Sequence, residues 1–205
     1  MYLFVYLLGV DKRYAEKRNA LEQSNTAKGE VIETSRLQLC RPTGAETKEF
    51  VGLWRDERVR QFLGGTVPQE RVGEKIASLQ EHWKLYGFGM WVVRERQIGR
   101  VLGLCGLHQS HLDAGIELSY QFFPAYWGRG YATEAVTVSL DYGLRHLGFN
   151  CILAVTQAAN LRSCRLLKRV GMHHCRDLWE WNALQRVYEL VQDREETEDV
   201  VANVL

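Results

Sequence analysis

The chain has 205 residues, 46% hydrophobic and 25% charged, enough to close one sizeable core with no composition break that would demand a second. Its 26 Lys and Arg stand against 25 Asp and Glu, a formal net charge of +1, which excludes the broad positive field that nucleic acid or an anionic membrane would select. Five cysteines, Cys40, Cys105, Cys151, Cys164 and Cys175, form an odd set without Cys-x-x-Cys spacing and predict reduced thiols in a cytoplasmic protein.

Met1 to Val10 is apolar but far shorter than the roughly 20 residues that cross a bilayer. Lys12 and Arg13 follow it, the reverse of a secretory signal. With the polar stretch up to Glu30, residues 1–32 read as an appendage or linker, and residues 193–205 as an acidic tail. The sequence allows a homodimer and assigns no role in it to Met1 to Val10.

Arg36 to Arg41 alternates apolar and polar residues and reads as a first strand, stopped by Pro42 and Gly44. Thr43 to Leu63 spaces Phe50, Leu53, Trp54, Val59 and Phe62 for one or two short helices. After Pro68, Val72, Ile76, Leu79 and Trp83 form one stripe of an amphipathic helix ending near Tyr86. Three strands follow, Phe88 to Arg94, Gly99 to Leu107 and Gly115 to Phe123, as an antiparallel meander. The remainder alternates helix Tyr131 to Leu147, strand Cys151 to Thr156, helix Leu161 to Val170, strand Met172 to Asp177 and strand Arg186 to Val191.

The informative run is Gly115 to Glu134, GIELSYQFFPAYWGRGYATE. Ile116, Leu118, Tyr120 and Phe122 share one strand face, Pro124 ends the strand, and a glycine loop leads into a helix with Val136, Leu140, Leu144 and Leu147 on its buried side. The first turn of such a helix has amide N–H groups without intrahelical partners, and Gly128 and Gly130 let backbone approach an anion closely. Nucleotide fingerprints fit poorly. No Lys-Ser or Lys-Thr follows the second glycine, and Thr133 stands where a dinucleotide site has its third Gly or Ala.

The stretch FFPAYWGRGYATEA resembles the pyrophosphate motif of the GNAT N-acetyltransferases, Gln/Arg-x-x-Gly-x-Gly/Ala. Gly130 and Ala132 match its last two fixed positions, while Trp127 replaces the Gln or Arg, a wording similar to the Rim-type ribosomal-protein N-terminal acetyltransferases. With Arg36-Leu37-Gln38-Leu39 and the Asn160-x-x-Ser163 segment ending at Gly171-Met172, the likeness spans about Glu33 to Val191, and it implies a GNAT domain over 33–192. The implied fold is α+β (mixed α/β), a twisted mixed sheet of about seven strands flanked by helices, whose fourth and fifth strands, Gly115 to Phe123 and Cys151 to Thr156, splay apart around acetyl-CoA. Pantetheine would pair with backbone around Phe122, Phe123 and Pro124. The pyrophosphate would lie on the amides of Gly128, Arg129, Gly130, Tyr131, Ala132 and Thr133, beside Trp127, with Arg129 adding a charged contact. Phe122, Phe123, Tyr126 and Trp127 have core packing as an equal alternative role.

The implied reaction moves an acetyl group to a primary amine, on a protein N-terminus or a small molecule, by direct attack in a ternary complex. Glu117, in a Glu-Leu-Ser-Tyr run similar to the Glu-Ile-Gly-Tyr of related enzymes, is the candidate base, with burial expected to raise its pKa; a structural ion pair is the competing role. A backbone N–H near Phe122 or Phe123 would stabilise the carbonyl oxygen as it gains charge. Many relatives place a Tyr seven residues after the motif Asn, but that position is Leu167 here, which leaves Ser163, or water, to protonate the leaving thiolate. Asn160 reads both as a helix N-cap and as a cofactor contact. His108, His111, His173 and His174 lack metal-ligand spacing, so no metal is expected. The departure at Leu167 keeps one alternative, a catalytically inactive acyl-CoA-binding regulatory domain.

Overall fold

The computed structural model describes residues 31–112 and 115–192. The expected appendage before residue 31 and the tail from residue 193 lie outside them. Eight strands form one open mixed sheet: β1 Val31–Glu33, β2 Leu37–Cys40, β3 Met90–Glu95, β4 Val101–Gln109, β5 Ile116–Phe122, β6 Cys151–Gln157, β7 His173–Glu180 and β8 Ala183–Val191, in the order β1-β2-β3-β4-β5-β6-β8-β7. The strands follow along the chain as the sequence suggested, with one more of them than expected. β1 pairs antiparallel with β2, Val31 opposite Cys40, and so starts before the boundary expected at residue 33.

Helices α1 Thr47–Arg55, α2 Glu57–Arg60 and α3 Val72–Tyr86 come before the meander; α4 Tyr131–Asp141 and α5 Leu161–Arg169 come after it. Successive strand residues face opposite ways, so the sheet feeds two cores. Val92 and Leu104 join Phe50, Leu53, Trp54, Val72, Ile76 and Leu79 from α1 and α3. Trp91, Cys105 and Leu118 join Ala135, Val136 and Leu140 from α4 and Leu167 from α5. The expected helix Tyr131 to Leu147 is α only to Asp141. Tyr142–His146 is a π turn, in which Leu147 N–H reaches the Tyr142 carbonyl at 3.0 Å. Gly143 accounts for the tight seat of this turn, since a Cβ there would come within 2.6 Å of both Ile152 and Leu107.

Strands β7 and β8 run longer than expected and meet at Trp181-Asn182, among the described residues the two non-glycine positions with positive φ, 53° and 60°. That pair of left-handed residues is the two-residue hairpin turn that matches strand twist. The five cysteines are free thiols. No helix among the described residues is long and apolar enough to cross a membrane.

Candidate active site

β4 and β5 pair in register from Gly103 opposite Phe122 to Gln109 opposite Ile116. β5 and β6, which run parallel, are registered by Glu117 opposite Leu153 alone. The expected splay is therefore present between these strands. Phe123 N–H bonds the Leu102 carbonyl at 3.0 Å, which fixes the alternation: odd-numbered residues of β5 turn their peptide groups to β4 and even-numbered ones turn theirs toward β6. Beyond the Glu117 pair, the peptide groups of Tyr120 and Phe122 thus point into the gap.

This placement narrows the backbone groups expected to hold the thiol arm. Phe123 has its N–H on Leu102 and its carbonyl on Tyr126 N–H at 2.9 Å, so it is not the N–H facing the gap. Pro124 has no N–H, and its carbonyl accepts from Trp127 N–H at 3.2 Å. Trp127 Nε1 donates to the Phe122 carbonyl at 2.8 Å, which folds the aromatic loop back over the strand end. Tyr120, one turn of the pleat earlier, is a gap-facing residue that the sequence reading did not single out.

Past the 3₁₀ turn Pro124–Tyr126, Gly128 and Gly130 take φ of 74° and 80°, and Gly130 becomes the N-cap of α4. No side chain caps this terminus. Glu134 N–H bonds Gly130 carbonyl at 3.0 Å, so the amides of Tyr131, Ala132 and Thr133 are the first-turn donors without intrahelical acceptors. Gly128, Arg129 and Gly130 are exposed. Arg36, absent from the candidate residues, braces the loop from below: Nη1 donates to the Arg129 carbonyl at 3.0 Å, Nη2 meets Glu134 Oε2 at 2.6 Å, and its guanidinium lies 4.7 Å from the Tyr131 ring centre. Arg162 stacks over Trp127 at 5.0 Å. Arg162 and an uncapped helix start suit this end of the gap to an anion, while the charge of Arg36 is balanced by Glu134.

On the α5 side, Asn160 Oδ1 accepts from Ser163 N–H at 3.2 Å, the N-cap expected for it. Ser163 Oγ lies 2.7 Å from Tyr120 Oη. Burial pushes the Tyr120 phenol up, so it holds its proton at neutral pH. Leu167 is buried in the core and takes no part.

On the opposite sheet face Glu117 is 7% exposed. Its Oε2 accepts from Ser110 Oγ at 2.9 Å and sits 3.7 Å from His111 Nδ1, whose Nε2 meets Glu180 Oε2 at 2.8 Å. Burial pushes the Glu117 carboxyl up, as expected, but the His111 ring, the His108 ring and the Ser110 hydroxyl outweigh it, and the net shift is below the usual 4.5. The expected rise is thereby corrected: the net shift is downward, and a carboxylate with this many donors stays ionised. His111 moves the other way, above 6.5, because its bond to Glu117 outweighs burial and Glu180 adds to it.

The Acetyltransferase (GNAT) domain family matches over residues 36–173. The chain belongs to the GNAT acetyltransferases. YkkB of Bacillus subtilis (strain 168) is 30% identical over 159 residues, 76% of this chain and 92% of that protein. The N-acetyltransferase YoaA of the same organism is 28% identical over 147 residues, 69% of this chain and 81% of that one. A GNAT-family acetyltransferase structure from Bordetella pertussis shares the fold with a TM-score of 0.69 at 24% identity, covering 78% of this chain and 98% of its own. The spermidine N-acetyltransferase of Vibrio cholerae, solved with CoA and spermine, has a TM-score of 0.67 at 17% identity, over 78% and 97% of the two chains. Rim-type ribosomal-protein acetyltransferases are among the structural neighbours as well. This GNAT enzyme is an acetyltransferase whose fold uses acetyl-CoA as co-substrate, and the capless α4 terminus beside the β5–β6 gap fits that molecule. Among the described residues no group of three or more His, Cys, Asp or Glu could hold a metal ion.

Proposed function

We propose that the chain transfers the acetyl group of acetyl-CoA to a primary amine, by direct attack while both are bound. The observation that carries this is the gap beyond the single Glu117 and Leu153 pair, lined by the Tyr120 and Phe122 peptide groups and ending at the uncapped amides of Tyr131, Ala132 and Thr133. Gly128 to Thr133 would receive the diphosphate, with Trp127, Arg129 and Asn160 beside it. The Tyr120 or Phe122 N–H would meet the carbonyl oxygen as charge builds on it. Ser163, backed by the Tyr120 hydroxyl at 2.7 Å, gives a proton to the departing sulfur and stands in for the tyrosine that Leu167 replaces.

On the acceptor side, Glu117 and Glu180 place two carboxylates around His111, with the Trp181 ring 4.8 Å from that imidazole. Two carboxylates with an aromatic wall favour an ammonium over a neutral or acidic acceptor. A protein N-terminus and a polyamine both meet that description, and the neighbour solved with spermine acts on the latter class. Leu167 supports a second reading, a regulatory domain that binds acyl-CoA without turnover.

Calorimetry with CoA and thiol release from acetyl-CoA across spermidine, aminoglycosides and peptides with free alanine or serine N-termini separate the two. Uptake of CoA with release of thiol is expected. Uptake without release for every amine selects the regulatory reading, and no uptake by folded protein removes both.

A further inference from the structure

Resting on the proposed acetyl transfer, we infer that the proton leaving the acceptor amine is taken by His108 through the hydroxyl of Ser119. His108 Nδ1 lies 2.8 Å from the Gln109 carbonyl, which can only accept, so Nδ1 carries the ring proton. Nε2 then presents a lone pair, and Ser119 Oγ stands 2.8 Å from it, so the hydroxyl donates there. A serine whose proton is already directed at an imidazole turns its own lone pairs outward, and Ser119 is only part-buried. Ser119 directly precedes Tyr120, the first β5 residue beyond the Glu117 pair whose peptide group faces the gap, and its side chain is on the sheet face of Glu117. The hydroxyl is therefore one residue from the reacting carbonyl's proposed N–H, on the acceptor side.

Glu117 is the less suitable acceptor, being buried and committed to Ser110 and His111. Polar and charged groups from several elements surround this relay. From β5 come Glu117 and Ser119, and from the loop after β4 come Ser110 and His111, the latter tied to Glu180 of β7. From α3 comes His82, whose Nδ1 faces the Phe88 carbonyl at 2.9 Å and whose Nε2 accepts from Gln109 N–H at 3.4 Å. Burial, with His108 nearby, pushes His82 down to about 4, so it stays uncharged. Glu117, ionised, stands directly opposite His108 in the β4–β5 ladder.

The balance is complete. An ammonium gives one proton to Ser119 Oγ while Ser119 passes its own to His108 Nε2, and the imidazolium later releases that proton to water. The free amine forms the C–N bond and the C–S bond breaks with its electron pair on sulfur; Ser163 gives its proton to that sulfur, and the second proton shed by nitrogen passes through water to restore the Ser163 hydroxyl. His108 is a relay residue, since Ser119 is the group that would touch the amine.

The test combines two readouts on the full chain. Nitrogen-15 NMR of the imidazoles at neutral pH should show His108 protonated at Nδ1 and bare at Nε2; a ring protonated at Nε2 overturns the inference without any acceptor. H108Q keeps a hydrogen-bonding atom for Ser119 but cannot take a proton, and S119A breaks the link. With acetyl-CoA and whichever of spermidine or an alanyl peptide the wild type acetylates, both variants should lose about 10²-fold in kcat with unchanged CoA affinity. The wild-type fall in kcat on acidification should disappear in H108Q and persist in E117Q. If H108Q keeps its kcat and its acid limb, the relay assignment falls and acetyl transfer stands. If the wild type acetylates no amine, both fall together.

Discussion

Tyr120 shows how a single hydroxyl can matter without a sequence signal. In the chain it is one of four residues on the apolar face of β5, and its partner Ser163 is 43 residues away, brought within 2.7 Å only by the packing of α5 against the sheet. Tyr120→Phe removes that hydroxyl and nothing else. If it backs Ser163 in protonating the leaving sulfur, kcat should fall about 10²-fold with CoA affinity unchanged, and the double change with Ser163→Ala should add little. Steady-state kinetics with calorimetric CoA titration measure both. Glu117 was legible from its motif, but the direction of its shift was not, because Ser110, His108 and His111 reach it only in the fold. Its carboxyl is lowered, so its stabilisation is full above 4.5 and is lost as pH falls through the lower folded value. His111 is raised, so its share is full below 6.5 and is lost as pH rises through the higher folded value. Glu117→Gln should therefore flatten both limbs: urea-unfolding free energy should vary less with pH below 4.5 and above 6.5 than in the wild type.

At the scale of elements, periodicity served where one face is buried and failed where geometry is local. The stripe Val72, Ile76, Leu79 and Trp83 announced α3 because those residues must meet the sheet. The π turn after α4 follows from how Gly143 seats against Ile152 and Leu107, contacts with no period to read. β1 was missed because three residues cannot show alternation, and the β7–β8 turn because neither Trp181 nor Asn182 is a glycine. Gly103 illustrates a close approach of the same kind. A Cβ there would stand 2.1 Å from the Gln121 carbonyl oxygen and 2.8 Å from Phe122 Cα, both backbone atoms that cannot rotate away. Gly103→Ala must push β4 from β5 at the point where the latter enters the gap. We expect a loss of about 3 kcal/mol in urea unfolding, at the upper end for overpacking, with weakened CoA uptake alongside. Unchanged stability would mean that the two strands are further apart than this ladder requires.

For the whole molecule, the sheet is two halves joined where it is weakest. β1 to β5 form one continuous antiparallel ladder and β6 to β8 another, and across the seam only Glu117 and Leu153 are in register. The seam is bridged elsewhere by side chains, Tyr120 to Ser163 on one face and Glu117 through His111 to Glu180 on the other. A ligand whose amides and diphosphate engage the peptide groups of Tyr120 and Phe122 and the first turn of α4 would supply the missing connection. Binding that is confined to the folded state stabilises it by about 2.7 kcal/mol at a ligand concentration 100 times Kd. For a chain of this size that corresponds to a rise of roughly 5–10 °C in Tm, readable by calorimetry with CoA. The rise should be accompanied by slower amide exchange at Tyr120, Phe122, Tyr131 and Ala132, and not along β2 and β3, which the seam does not touch. Protection spread evenly over the sheet would point instead to a general tightening and would count against the gap as the place where CoA lies.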